Sequence, residues 1–201
     1  MTNYSFSAIN DYSKSGIKTA LEKLNKQKKK PIVVCVGSDL VLGDSLGPLI
    51  GTMLRKNNVS SYVYGTLNYP VTAKEVEYAS VYLKKMHPDS IIIAIDAAVG
   101  EEEDVGLIRI LNKGLKPGLG VQKNLASIGD VSIIGVVAPK SIKNYTLFNM
   151  TRLNLVYKMA ETISESLTDY LSSFSGNNTL EKLSLNGIKD GFVNGASTIY
   201  N

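Results

Sequence analysis

Two short apolar runs constrain this chain more than any other feature: PIVVCVG at residues 31–37 and SIIIAIDAAVG at residues 90–100. Each is crowded with β-branched residues, too short for a core helix and closed by glycine, so each reads as a strand buried on both faces. Strands of that kind belong to parallel sheets covered by helices. The first run continues into SDLVLGDSLGPLIG, so each strand leads into small residues and a carboxylate: Asp39 and Asp44 after the first, Asp96 in the second. In open α/β sheets ligands bind outside the carboxyl ends of the strands, which is where these acids fall.

The segments between the runs have helical periodicity. Ile17, Leu21 and Leu24 predict a helix over about residues 12–28, stopped by Pro31, with a polar, loose lead over residues 1 to about 10. Asp44 opens a second helix, to about Lys56, with Pro48 in its early part. Residues 60–64 favour a strand. Thr72-Ala73-Lys74-Glu75 is a capping-box pattern, and Val76, Ala79, Tyr82, Leu83 and Met86 continue at helical spacing behind it. His87-Pro88-Asp89 breaks that helix before the strand 91–95, which ends at Asp96. Strands at 107–111 and 131–138 follow, separated by a Gly-rich loop of about 18 residues, a length that marks functional or mobile segments. Leu153, Val156, Met159, Ala160, Ile163, Leu167 and Leu171 predict a final helix over about residues 145–174. The expected fold is α/β, three-layered, with a mostly parallel twisted sheet and helices on both faces. Residues 1–174 form one domain, and 175–201 a polar, weakly ordered tail.

Among the acids, Asp44 admits two readings: a helix cap whose ionised form the helix dipole favours, or a reactive carboxylate at a glycine-rich turn. Asp96, directly after IIIAI, either caps the next loop or faces a cleft. If both face one cleft, desolvation and mutual repulsion raise one pKa relative to the other and yield an acid and a base. Asp39 reads as turn chemistry that lines the loop. Gly37 and Ser38 precede it. Ser38 and Ser45 lie nearby, but the chain's one histidine, His87, stands at the wrong end of the strand to serve as their base.

Composition narrows the partners. The net charge of +4 is concentrated at Lys23, Lys26, Lys28, Lys29 and Lys30, with no aromatic residues interleaved for base stacking, so a solvated helix end is favoured over nucleic-acid contact. The single cysteine, Cys35, sits inside an apolar run as a small hydrophobe, excluding an intramolecular disulfide framework and fitting a reducing, cytoplasmic setting. The sequence has no signal-peptide pattern and no apolar run of membrane-spanning length, so no membrane association is expected. Zinc or nickel would call for well-placed His or Cys, so no metal or other cofactor is expected, although Asp44 and Asp96 with backbone oxygens could take a hard cation. A phosphate at the Gly37 loop would meet Asp44 and no P-loop lysine.

Together, GSDLVLGDSLGPLIG, NYPVTAKEV, IDAAVG and KPGLGVQKNLASIGDVSIIGVV resemble the YyaC-type sporulation proteins of endospore-forming bacteria, over roughly residues 30 to 160. That family is similar to the germination protease of spores and, more distantly, to the hydrogenase maturation endopeptidases. The resemblance implies a phosphorylase/hydrolase-like fold. Asp44 in D-S-L-G-P and Asp96 in I-D-A-A match the two aspartates considered catalytic in the germination protease. Its Pro-Gly-x-G-V-x-N loop matches Pro117, Gly118, Gly120, Val121 and Asn124, which the resemblance places beside the site with Gly37, Ser38 and Asp39 as substrate contacts. The hydrogenase endopeptidases instead grip a metal with an Asp-Glu pair and a later histidine. This chain has Ser45 in place of that glutamate and no later histidine.

The resemblance implies a sporulation-associated, peptidase-like hydrolase using an aspartate pair on a protein or peptide substrate, small acid-soluble spore proteins among the candidates. It would act in the mother cell or forespore, as a monomer or a homo-oligomer. The alternative is an inactive sporulation protein that binds a partner through the same cleft.

Overall fold

A computed structural model describes residues 3–117, 127–140 and 151–175. In chain order they form β1 (Asn3–Ser7), α1 (Ser13–Leu24), β2 (Pro31–Cys35), a 3-10 turn (Leu42–Ser45), α2 (Leu46–Lys56), β3 (Val63–Tyr64), α3 (Val76–Met86), β4 (Ile91–Gly100), a second 3-10 turn (Glu102–Asp104), β5 (Leu107–Leu111) and β6 (Val131–Pro139). The last described helix, here α4, is Leu153–Ser172.

One six-stranded sheet runs in the order β1-β5-β6-β4-β2-β3. The pairings β2/β3, β2/β4 and β4/β6 are parallel, and β1/β5 and β5/β6 antiparallel. The apolar runs that announced a parallel sheet are two neighbouring inner strands, β2 and β4, joined in register from Pro31↔Ile91 to Cys35↔Ile95.

Strand alternation sends successive side chains into two separate cores. Val33, Cys35, Ile93, Ile95 and Ile133 pack with Ile17 and Leu21 of α1, Leu46, Ile50 and Leu54 of α2, and Val156, Met159, Ile163 and Leu167 of α4. Val34, Val36, Ile92 and Ala94 pack on the other face with Val76 and Leu83 of α3 and with Leu115 and Ile128. Helices therefore cover both faces, and the architecture is the expected three-layer α/β fold. Cys35 is fully buried in the first core, and burial pushes its thiol pKa up, as a packing role requires.

Several boundaries differ from expectation. The lead is not loose. Residues 3–7 form the edge strand β1, antiparallel to β5, because Tyr4 and Phe6 alternate with serines and turn their rings onto the first core. Helix α1 ends at Leu24, where Asn25 closes it; β3 shortens to two residues; and α4 begins at Leu153, residues 145–150 lying outside the described set. The capping box forms in part: the Glu75 carboxylate accepts the Thr72 N–H at 2.9 Å, while the Thr72 hydroxyl accepts Lys74 N–H at 3.3 Å.

The most consequential difference concerns β4. It does not stop before Asp96 but continues to Gly100, because β6 is long enough to pair with it, Asp96↔Ile134 through Gly100↔Pro139, with a register shift at Ala98/Val99. Asp96 is thus held within a ladder, and alternation puts it on the face of Ile92 and Ala94. The expected tail, from 176 onward, lies outside the described residues.

Candidate active site

The first carboxylate is delivered by the connection between β2 and α2. After Cys35 the chain extends through Val36, whose N–H donates to the Ile95 carbonyl at 2.7 Å and which bridges in parallel to Val71. Gly37 follows with φ +140°, a conformation L side chains rarely adopt, and its N–H donates to the Val71 carbonyl at 3.0 Å. The loop then folds back: Ser38 N–H donates to the Asp44 carbonyl at 3.1 Å, and Asp44 N–H to the Val41 carbonyl at 3.0 Å. Gly47 sits where any Cβ would overlap the Val36 carbonyl, so the first turn of α2 lies directly against the strand end. This close approach fixes the turn carrying Asp44 over the carboxyl end of β2.

Asp44 is not a helix cap. It lies in the 3-10 turn Leu42–Ser45; the residue before α2 is Ser45, whose side chain forms no cap bond and instead donates to the Leu42 carbonyl at 2.7 Å. The dipole expectation fails with it. Desolvation raises the Asp44 pKa above the ordinary carboxylate value, and only the Ser38 amide pulls the other way.

Asp96 supplies the second carboxylate from the neighbouring strand. Its pKa is raised well above the ordinary value, by desolvation first and then by the negative charge of Asp44, against a modest opposing pull from the Ala97 N–H, which donates to Oδ1 at 2.8 Å. The two acids therefore share one low-dielectric region and sense each other. Desolvation raises both, the Asp44 charge adds to it at Asp96, and Asp96 is the one that holds a proton to higher pH.

The structure brings Gly37, Ser38, Asp39, Asp44 and Asp96 to one end of the sheet. Turn chemistry there falls to Ser38, whose hydroxyl accepts the Leu40 N–H at 3.2 Å, and not to Asp39, which is exposed and forms no side-chain hydrogen bond among the described residues. Gly118, Gly120 and Asn124 lie outside the described residues. The stem of their loop is described: Leu115 and Ile128 bridge in antiparallel fashion and are buried on the Asp96 face. Sequence reading missed the segment ending at Val71, which walls the Gly37 turn. Its one signal was a proline and a valine just ahead of the capping box.

His87 lies at the opposite end. With Ser90, Ile91 and Lys84 it lines a cleft of about 940 Å³ at the amino end of β4, and its Nε2 meets the Tyr64 hydroxyl at 2.9 Å. It serves neither aspartate nor serine. Neither Asp44 nor Asp96 lines that cleft. Among the described residues no three His, Cys, Asp or Glu side chains group as metal ligands, and no helix is long and apolar enough to cross a membrane.

A three-layer α/β protein with two part-buried aspartates, Asp44 in the turn after β2 and Asp96 within the adjacent strand β4, is the class that fold and site define. Residues 5–166 match the family described as a protein of unknown function, DUF1256, and the chain belongs to that family. The uncharacterized protein YyaC of Bacillus subtilis (strain 168) is 43% identical over 150 residues, 73% of this chain and 73% of that protein. Among solved structures, the NiFe hydrogenase maturation protease HycI from Thermococcus kodakarensis KOD1 is similar at 15% identity and a TM-score of 0.49, covering 76% of this chain and 99% of that one.

Proposed function

We propose that the chain is a peptidase-like hydrolase of sporulation that cleaves a protein or peptide substrate with Asp44 and Asp96. The observation that carries this reading is the unequal displacement of the two carboxylates: both are raised, Asp96 further, and partly by the charge of Asp44. An acid and a base for one reaction are obtained when one environment pushes two carboxyl groups apart in this way.

In the proposed step Asp44 is ionised and Asp96 protonated. Asp44 takes a proton from water as the water oxygen bonds to the scissile carbonyl carbon, and Asp96 gives its proton to the carbonyl oxygen. The gem-diol that results collapses as its C–N bond breaks. Asp44 hands its proton to the leaving amine, one diol hydroxyl returns a proton to Asp96, and both residues are restored. The Ala97 amide holds the Asp96 carboxylate, and the Ser38 amide, bonded to the Asp44 carbonyl, holds the turn that carries Asp44. The Gly37 turn and the segment ending at Val71 form the wall along which an extended peptide would lie.

The test is cleavage of a peptide library and of small acid-soluble spore proteins by wild type, Asp44→Asn, Asp96→Asn and the double variant. Wild type should cleave at least about a hundredfold faster than either single variant. Equal rates for wild type and the double variant would sink the proposal.

A further inference from the structure

Helix α3 has two apolar faces, and only one is used. Val76, Ser80 and Leu83 are buried against the sheet. On the opposite side Tyr78, Val81, Tyr82 and Met86 recur at helical spacing and stand 74%, 67%, 38% and 54% exposed. The stripe extends beyond the helix. Tyr78 stacks on Tyr82 with ring centroids 6.0 Å apart, Tyr82 meets Tyr64 edge-on at 6.4 Å, Tyr64 meets His87 at 6.0 Å, and His87 meets Tyr62 at 4.8 Å. The result is one contiguous aromatic surface running from α3 onto the edge strand β3. Contiguous exposed apolar surface rich in Tyr and Met marks an association site, since leaving it in water is costly.

We propose that this face is a two-fold interface that takes the α3 of a second copy of this chain, antiparallel to its own. The charges on the helix argue for that occupant. Glu77 stands at its amino end and Lys84 and Lys85 at its carboxyl end, and neither Glu77 nor Lys85 has an ion-pair partner among the described residues. Glu77 and Lys85 each lie four residues from Val81. An antiparallel crossing at Val81 therefore sets Glu77 of each copy against Lys85 of the other, twice over, and brings Tyr78 of each copy toward the other's Lys84 and Lys85, where cation–π contact is available. A parallel pairing would set like charges together. The surface is thus complementary to itself in one orientation, as an isologous contact must be. The interface lies on the α3 side near the β3 edge.

The experiment is sedimentation equilibrium of the full chain over a range of concentrations, with circular dichroism to confirm that each variant is folded. The substituted side chains are exposed, so folding is expected to survive. Wild type should be a dimer in the micromolar range and Val81→Asp a monomer. Glu77→Lys or Lys85→Glu alone should weaken the dimer about tenfold, since two pairs change from attractive to repulsive, and the double variant should recover to within about threefold of wild type. A wild type that stays monomeric at every concentration overturns the proposal. So does a dimer indifferent to Val81→Asp, or one that the double charge reversal fails to rescue.

Discussion

The carbonyl oxygen of Asp44 fills the space that a side chain on Gly37 would need, and it is held there by the Ser38 N–H at 3.1 Å. Gly37→Ala must therefore displace the turn carrying Asp44 or strain a residue at φ +140°. We expect a loss of about 1–3 kcal/mol in urea unfolding. Cleavage should fall further than stability accounts for, because the displaced group is the proposed base. Unchanged stability would mean that the turn is not fixed by this contact.

Asn25 links three parts of the first layer. Its Nδ2 donates to the Lys29 carbonyl at 2.8 Å and to the Tyr170 hydroxyl at 2.9 Å, and its Oδ1 accepts the Lys29 N–H at 3.0 Å, all in a nearly closed environment. Asn25→Ala strands the buried Tyr170 hydroxyl and should cost about 1–3 kcal/mol. Tyr170→Phe should then cost less in the Asn25→Ala background than in wild type. Denaturant titration of the four proteins closes the cycle, and strictly additive losses would show the two side chains to be uncoupled.

The sheet was legible where both strand faces are covered. PIVVC and IIIAI carry unbroken β-branched runs because each face needs apolar residues, and no other element tolerates that pattern so briefly. β1 was not legible, since an edge strand with one wet face needs only Tyr4 and Phe6 between serines, a signal too short to separate from a polar lead. The geometry of the candidate site was half legible. Small residues and acids after apolar runs announced Asp44 and Asp96, but local pattern favoured a helix cap for Asp44. Only the fold shows that α2 starts two residues later, and that β6 carries β4 past Asp96. Such facts are set by partners distant in sequence, which periodicity does not report.

Asp96 should trade stability for chemistry. Its folded pKa is raised above the unfolded value, so its protonated form favours the native state below about pH 4, and stability is lost as pH climbs from there through the folded pKa. Asparagine cannot ionise, and its amide oxygen can still accept the Ala97 N–H. Asp96→Asn should therefore melt close to wild type near pH 4 and increasingly above it as pH rises, the gap levelling once wild-type Asp96 has ionised. A variant less stable than wild type at neutral pH would contradict the burial assigned to this carboxyl.

The same two groups set the expected pH dependence of cleavage. The proposed mechanism requires Asp44 ionised and Asp96 protonated, so kcat/KM should rise as Asp44 loses its proton and fall as Asp96 does, with the optimum between. Both limbs lie above the ordinary aspartate value because both pKa values are raised, the falling limb further because Asp96 also faces the charge of Asp44. Removing that charge separates the terms. In Asp44→Asn the Asp96 carboxyl should titrate lower than in wild type, by the repulsive part alone, while desolvation keeps it above an exposed aspartate. Carbon-detected NMR of the Asp96 carboxyl in both proteins measures this directly. An Asp96 titration unmoved by Asp44→Asn would mean that the two carboxyl groups act as separate residues, and the paired-acid mechanism would lose its physical basis.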